Sequence, residues 1–546
     1  MNSPDNGNKS PLSAKKVKSA AKNANPAIES KNLRPTPEPS PRKKKALPIL
    51  VITATVIAVA LLAAFLIPSM NQAETNTDII HPANTLSNEL STHKSDVSTP
   101  SVGTTDEAVT EQLHPIAVKD YGCEFNILNA GTMDSRVLTV ENTAQATANR
   151  MDAAVYERGL SIQEHLGVDL VYILMDASDK DAYAGIVSQA VQAEANDFQL
   201  VLTHTSHGIS ELITGNCLYD IGKLDAVDLD APYWATNMME EIKIRDQYLL
   251  GYNDFCMIST HVVAFNKTLM EEFNRSLPYD QVRDRNWTLF RLLELSMGIY
   301  ADANANGTVD AEDMHGLSCV GRAPISSFLT SSHLNVVTKK ADGTYGLGSM
   351  AATGTDRTHT LVELFVALSQ SPEGYFVFAP SHTSNGFAEH RSLFELCHIS
   401  DLASFRESGI DYGVLPYPLF EQEQMTYRSL SWNGMMGVPR SIADPTMVGE
   451  VLELFGYYSS DVKTAYMEKL LGTTLDQAPD DAEMLNIIWD SQVTDMGLLI
   501  SAPSQELQGF VHLIPTMCER GRADISSYIT TYARAVEAYL RSVFGS

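Results

Sequence analysis

Hydrophobic positions follow three different rules along this 546-residue chain. Over residues 46–67, ALPILVITATVIAVALLAAFLI, they are nearly continuous, and the 22 residues include no Asp, Glu, Lys, Arg, His, Asn or Gln. At about 1.5 Å per residue a helix of this length spans a hydrocarbon core of roughly 30 Å. Pro48 falls in its first turn, where a missing N–H costs little. Buried helices of soluble domains usually keep a polar face, so the run predicts one transmembrane helix. Residues 68–115 are rich in Thr, Ser, Asn and acids with few large apolar side chains, which predicts a flexible stalk. From 116 to 546 the apolar residues return in periodic groups, the pattern of a folded domain.

Within that domain, alternation of short apolar runs and amphipathic stretches sets the fold class. Residues 124–130 (EFNILNA) predict a strand ending in the polar loop 131–134. Residues 151–166 predict a helix, with Val155, Leu160 and Ile162 on its apolar side and Gly167 as its stop. A strand over 168–174, a helix over 179–195 and a strand over 197–202 follow. This order implies an α/β fold with a parallel sheet covered by helices. Ligands of such sheets bind beyond the carboxyl ends of the strands, which makes His204, Thr205 and Ser206 candidate ligand-binding residues. His204 and His207 lack a third metal ligand at suitable spacing, so hydrogen bonding is the expected role there. About 430 residues exceed one comfortable core, and two lobes are expected.

Charge fixes the orientation. Residues 1–45 hold eleven Lys and Arg against Asp5, Glu29 and Glu38, a balance of +8, and 42–45 are all basic beside the apolar run. Positive flanks stay cytoplasmic. The tail has no aromatic residue and is expected to be disordered. It is too long for a signal peptide, no small-x-small cleavage site follows, and the first cysteine is Cys123, so no lipid-accepting thiol is near. A signal anchor with the large domain outside the cell is the expected topology. The net charge of −28 leaves −36 for everything after the tail, which argues against nucleic acid as a partner. Six widely spaced cysteines show no C-x-x-C or metal spacing. One or two disulfides and a set of buried thiols remain equal alternatives.

One short motif carries metal chemistry. Asp302, Asn304, Asn306, Asp310 and Asp313 stand at positions 1, 3, 5, 9 and 12 of a loop, with Gly307 at position 6 and the carbonyl of Thr308 at position 7. A hard cation needs six to eight oxygens around one point, and glycine permits the turn that wraps them. The expectation is a structural Ca²⁺. Asp313 replaces the usual bidentate Glu, so Glu312 is an alternative contributor.

The ordered blocks DAAVYERGLSIQEHLGVDL (152–170), DFQLVLTHTSHGISELITGNCLYDI (197–221), LDAPYWATNM (229–238), MISTHVVAFNKTLM (257–270), NWTLFRLLELS (286–296), DYGVLPYPLF (411–420), MMGVPRSIADP (435–445) and DDAEMLNIIWDSQVTDMG (480–497) resemble the bacterial extracellular solute-binding proteins of the family-1 type. These are the substrate-binding components of ABC importers. Members usually carry a lipid-modified Cys where this chain has a membrane helix. The resemblance implies a two-lobed periplasmic-binding-protein-like fold (type II) with lobe 1 at about 116–260 and 420–495 and lobe 2 at about 261–419 and 496–546. It implies crossings near 259–263 and 415–420, closure on a ligand by hinge bending, and ABC permease subunits as partners. Calcium-like loops are common at this place in the family. It also brings the stretch 391–402 to the cleft, nominating His398 and Ser400.

Sugars present apolar faces ringed by hydroxyls, so aromatic residues are the remaining candidates. Trp287 precedes the N-cap Thr288 and Trp489 lies on an amphipathic helix, so both read as core. Trp234 reads as near a surface turn. Trp432, in SLSWNGMMGVP, is the stacking candidate. No H-E-x-x-H, G-x-S-x-G or G-x-x-x-x-G-K-[ST] occurs, and no nucleophilic cysteine signature. The reading is a non-enzymatic binder of a small polar solute, a carbohydrate by preference. A ligand-binding sensor or co-receptor uncoupled from transport is the alternative, and a glycoside-processing enzyme stays formally open. The anchor has a direct check. Protease added to intact cells should remove the domain beyond residue 70, whereas a freely secreted form beginning after residue 67 would refute an uncleaved anchor.

Overall fold

A computed structural model of the chain describes residues 116–130, 149–175, 180–204, 208–256, 258–351, 356–378, 386–432 and 434–545. The expected membrane helix, stalk and basic tail lie outside these. Among the described residues no helix is long and apolar enough to cross a membrane.

Two sheets organise the domain. The first has the order β12-β3-β1-β2, from β1 (Cys123–Asn129), β2 (Val168–Leu174), β3 (Leu200–Leu202) and β12 (Met436–Gly437). β1 runs parallel to β2 and β3, and β12 joins β3 antiparallel. The second has the order β10-β4-β9-β5-β8, from β4 (His261–Asn266), β5 (His315–Val320), β8 (Gly374–Val377), β9 (Ser392–His398) and β10 (Tyr412–Leu415). Here β9, β5 and β8 are parallel, while β4 is antiparallel to both β9 and β10. These two sheets are the cores of two lobes.

The early elements form where the periodicity placed them. The helix Arg150–Leu166 starts at Asn149, whose side chain accepts from the Asp152 amide, and stops at Gly167 with φ 61°. That left-handed conformation is one glycine adopts without a Cβ penalty. β3 is shorter than the expected 197–202: its ladder with β1 begins at Leu200, and Gln199 meets Asn126 through its amide (2.9 Å) and its side chain (2.6 Å).

Three chain segments pass between the lobes. The first enters β4 through Ser259 and Thr260. The second is β11 (Ser429–Leu430) with Ser431 and Trp432, and the third is β13 (Gln492–Val493). β11 pairs parallel to β13, and Thr260 bridges Ser431 antiparallel. The Trp432 amide donates to the Ser259 carbonyl (2.8 Å) and the Ser431 amide to that of Val493 (2.7 Å). The run 415–420, expected to cross, is instead held on the second lobe. The Trp287 indole donates to the Pro416 carbonyl (2.9 Å), Tyr417 to that of Pro324 (2.7 Å), and Leu419 pairs with Trp287 and Leu289. Proline stiffens this extended run, but its backbone partners decide where it lies.

The helices of 445–490 bridge the lobes from behind. The helix Ser460–Leu471 packs on both Arg150–Leu166 and Asp401–Glu407, and Pro479–Asp490 packs on β10. At that contact Asp481, almost fully buried, accepts from Tyr279 (2.7 Å), the Val414 amide (3.0 Å) and Lys267 (2.9 Å). On another side the hairpin β6 (Val337–Lys339) and β7 (Tyr345–Leu347) meets the first lobe. Lys339 pairs with Asp246, and the Tyr345 hydroxyl donates to the Lys243 carbonyl. No disulfide joins the six cysteines, five of which are buried, so the disulfide alternative gives way to thiols.

Candidate functional site

Strand ends converge where the crossings run. In the second sheet β9 ends, and β4 begins, at the register pair His261 and His398. In the first, Thr203 follows β3 and donates its amide to the Met435 carbonyl (2.8 Å). Between these edges sits a cluster of rings from four parts of the chain. The His261 ring stands edge-on to His398 (centroids 5.6 Å, 80°) and to Trp432 (5.6 Å, 82°). Trp432 in turn stacks on His512 (5.9 Å, 11°).

Hydroxyls orient every imidazole. Consecutive serines on the helix Ala323–Ser331 take one each: Ser327 Oγ lies 3.1 Å from His261 Nδ1 and Ser326 Oγ 2.8 Å from His512 Nδ1. His398 is held at both nitrogens, by Ser259 (2.8 Å) and Ser400 (2.7 Å). Burial is the main cause that lowers the His512 pKa to about 4, with Arg322 adding repulsion. Burial, then His398 and His512, push His261 well below the ordinary range. Both rings are therefore uncharged at neutral pH. Asp401 accepts from the His398 amide (3.0 Å), and burial raises its pKa. The cluster offers hydrogen-bonding edges and aromatic faces with little net charge, a surface for a polar, uncharged solute.

The structure thus brings His398 and Trp432 together, with Ser400 behind His398. His204 follows β3 in the first lobe and is half-buried; Thr205 and Ser206 lie outside the described residues, as do 131–134. Trp287 and Trp489 are core, as their patterns imply. Trp234 is a correction: it is buried, and its indole donates to Glu453 (3.0 Å). His261 and His512 escaped the sequence reading. His261 opens an apolar strand and His512 interrupts the apolar run 510–514, the one signal either leaves.

The loop 302–313 is curled by its own side chains. Asp302 accepts from the amides of Asn306 (3.2 Å) and Gly307 (2.8 Å), and Gly307 has φ 75°. The side-chain amides of Asn304 and Asn306 reach Asp310 (3.3 and 2.7 Å), and that of Asn304 also reaches Glu312 (3.1 Å). Hydrogen bonds, first from Asn306, hold the Asp310 carboxyl below its ordinary pKa. Asp313 is fully buried and accepts from Tyr300, Ala303 and Asp310. Among the described residues no group of three His, Cys, Asp or Glu is placed to hold a metal ion. Two of the loop's five candidate side chains, Asn304 and Asn306, are amides, whose oxygen and nitrogen exchange by a flip.

A cyclo/maltodextrin-binding protein complexed with maltotetraose superposes with a TM-score of 0.50 at 11% identity, covering 77% of this chain and 97% of that one. The fold is that of the two-lobed solute-binding proteins. An ABC transporter solute-binding protein of Thermotoga lettingae bound with α-D-tagatose has a TM-score of 0.48 at 13% identity, covering 76% of this chain and 99% of its own. The GacH receptor of Streptomyces glaucescens, solved unliganded and with acarbose, has 0.48 and 13%, covering 77% and 99%. Structural neighbours of this solute-binding fold are thus ABC-transporter sugar-binding proteins at low identity. No protein-family model and no curated protein matches the sequence.

The ring cluster makes the domain sensitive to acid. His512 has a folded pKa of about 4, below its unfolded value of about 6.5. The unfolded chain therefore binds more protons between these values. The stability from a neutral His512 is complete above pH 6.5 and is lost as pH falls toward 4, by roughly 3 kcal/mol. His512→Phe keeps the stack and cannot protonate. Unfolding curves of parent and variant, compared at pH 7 and pH 4, should differ by about that amount; parallel pH profiles would exclude it.

Proposed function

We propose that the chain is a membrane-anchored extracellular solute-binding protein that captures a carbohydrate between its lobes for an ABC-type importer and does not transform it. The observation that carries this reading is the ring cluster of Trp432, His261, His398 and His512 at the segments joining two lobes of a solute-binding fold, with His261 and His512 held uncharged by burial. Supporting it, the maltodextrin-binding protein of the same fold is complexed with maltotetraose. His204, Thr205 and Ser206 are the contacts proposed from the first lobe, with His398 and Trp432 completing the site. A ligand shifts an open–closed equilibrium only through its differential affinity for the two states, so contacts on both lobes are required. In this proposal the anchor at 46–67 keeps the domain outside the cell, near the permease subunits.

We also propose a structural Ca²⁺ at the loop 302–313, bound by Asp302, Asn304, Asn306, the Thr308 carbonyl, Asp310 and Asp313, with Glu312 assisting. The curl imposed by Asp302, the left-handed Gly307 and the gathering of Asn304, Asn306 and Glu312 around Asp310 support it. An amide flip at either Asn would turn its oxygen toward the same point.

Two measurements test these readings. Maltotetraose, α-D-tagatose and acarbose form the first panel; a true ligand should raise the melting temperature and make the particle more compact by X-ray scattering. The expected gain is about 2.7 kcal/mol at a hundredfold excess over Kd. Neither response with this panel or a wider set of sugars and polyols would favour a sensor or interaction module, and glycoside hydrolysis would overturn the binder outright. For calcium, a chelator should lower the melting temperature of the parent and leave Asp302→Ala unaffected. Identical parent curves with and without chelator would reduce the loop to a surface turn.

A further inference from the structure

Tryptophan has one polar group, an N–H that can donate and never accept, and a buried indole normally finds an acceptor. Three of the four tryptophans do. Trp234 donates to Glu453 (3.0 Å), Trp287 to the Pro416 carbonyl (2.9 Å) and Trp489 to Asp254 (3.0 Å). Trp432 is different: its Nε1 is shut off from solvent and has no hydrogen-bond partner among the described residues. The hydroxyl of its neighbour Ser431, a residue 1% exposed, is in the same condition. Both stand on the second crossing, whose backbone is tied by hydrogen bonds to Ser259 and Val493.

The same geometry closes one face of the indole to stacking. The indole already lies parallel to the His512 ring (5.9 Å, 11°), and that imidazole is fixed by Ser326 (2.8 Å). A sugar face seated there would have to displace a ring that the protein holds in place. We infer that Trp432 recognises the bound solute through its indole N–H, as a hydrogen-bond donor to a solute oxygen, and not by stacking on the face that His512 covers. The inference rests on the solute-binding reading and adds what selects the solute. A site built to meet a given oxygen rejects analogues that lack it far more strongly than an apolar platform does, because the donor is then left buried and unpaired. The preferred ligand is therefore a polyhydroxylated or ether-bearing compound that presents an acceptor to the crossing strands.

The test uses the full-length protein in detergent, labelled with ¹⁵N at the tryptophan indoles, with maltotetraose, α-D-tagatose and acarbose as probes. Four indole N–H signals are expected, assigned by single Trp→Phe replacements. On adding a binding probe, the Trp432 signal should move downfield while those of Trp287 and Trp489 stay. Trp432→Phe keeps a ring against His512 and removes the N–H; it should weaken that probe about tenfold while scattering still shows compaction at saturation. Two outcomes overturn the inference and leave the carbohydrate reading standing: a Trp432 signal unmoved by a probe that compacts the protein, or parent-like affinity in Trp432→Phe. If no probe or wider sugar binds the parent, the carbohydrate reading fails and this inference with it.

Discussion

The hinge rests on a satisfaction problem. Three short segments must leave one sheet and enter another, and each brings backbone N–H and C=O groups that cannot stay unpaired when buried. They solve it by pairing with one another. The Thr260–Ser431 bridge and the parallel β11–β13 pair bind all three side by side, and the Thr260 hydroxyl donates to the Leu430 carbonyl (2.7 Å). The crossings are thus tied to one another at one place between the two sheets. Whatever sits on the crossings is then held in fixed relation to both lobes. Trp432 and Ser431 are on them, and His261 and His398 stand at the adjoining strand ends.

The first lobe was largely legible in the sequence, the hinge barely so. Residues 168–174 announce β2 through their own apolar run, and the helix before it carries both its cap and its glycine stop. β11, β12 and β13 have two residues each, too short for any periodicity to register. Their existence depends on partners far away in sequence, as when Ser429 pairs with Gln492. The run 416–420 misled for a related reason. Its prolines mark an extended segment, while the Trp287 indole, some 130 residues earlier, fixes its place.

The site was half legible. His398 and Trp432 stood out as polar or aromatic residues beside expected cleft segments. His261 and His512 did not, since each is one polar residue within an apolar stretch and reads as core. What makes them functional candidates is contact between elements: two adjacent serines of one helix orient both rings. The sequence also could not separate a stacking Trp from a donating one, because the distinction lies in which groups surround the ring.

The neutrality of His261 and His512 has a kinetic meaning. The chain beyond its basic tail carries −36, and such a field speeds cations and slows anions as they diffuse in. An uncharged solute feels neither effect, and neutral histidines add no local attraction of their own. Encounter should then proceed at a rate set by diffusion and lobe opening, nearly independent of ionic strength. Binding of such a solute would keep the same rate across changing salinity, without long-range steering.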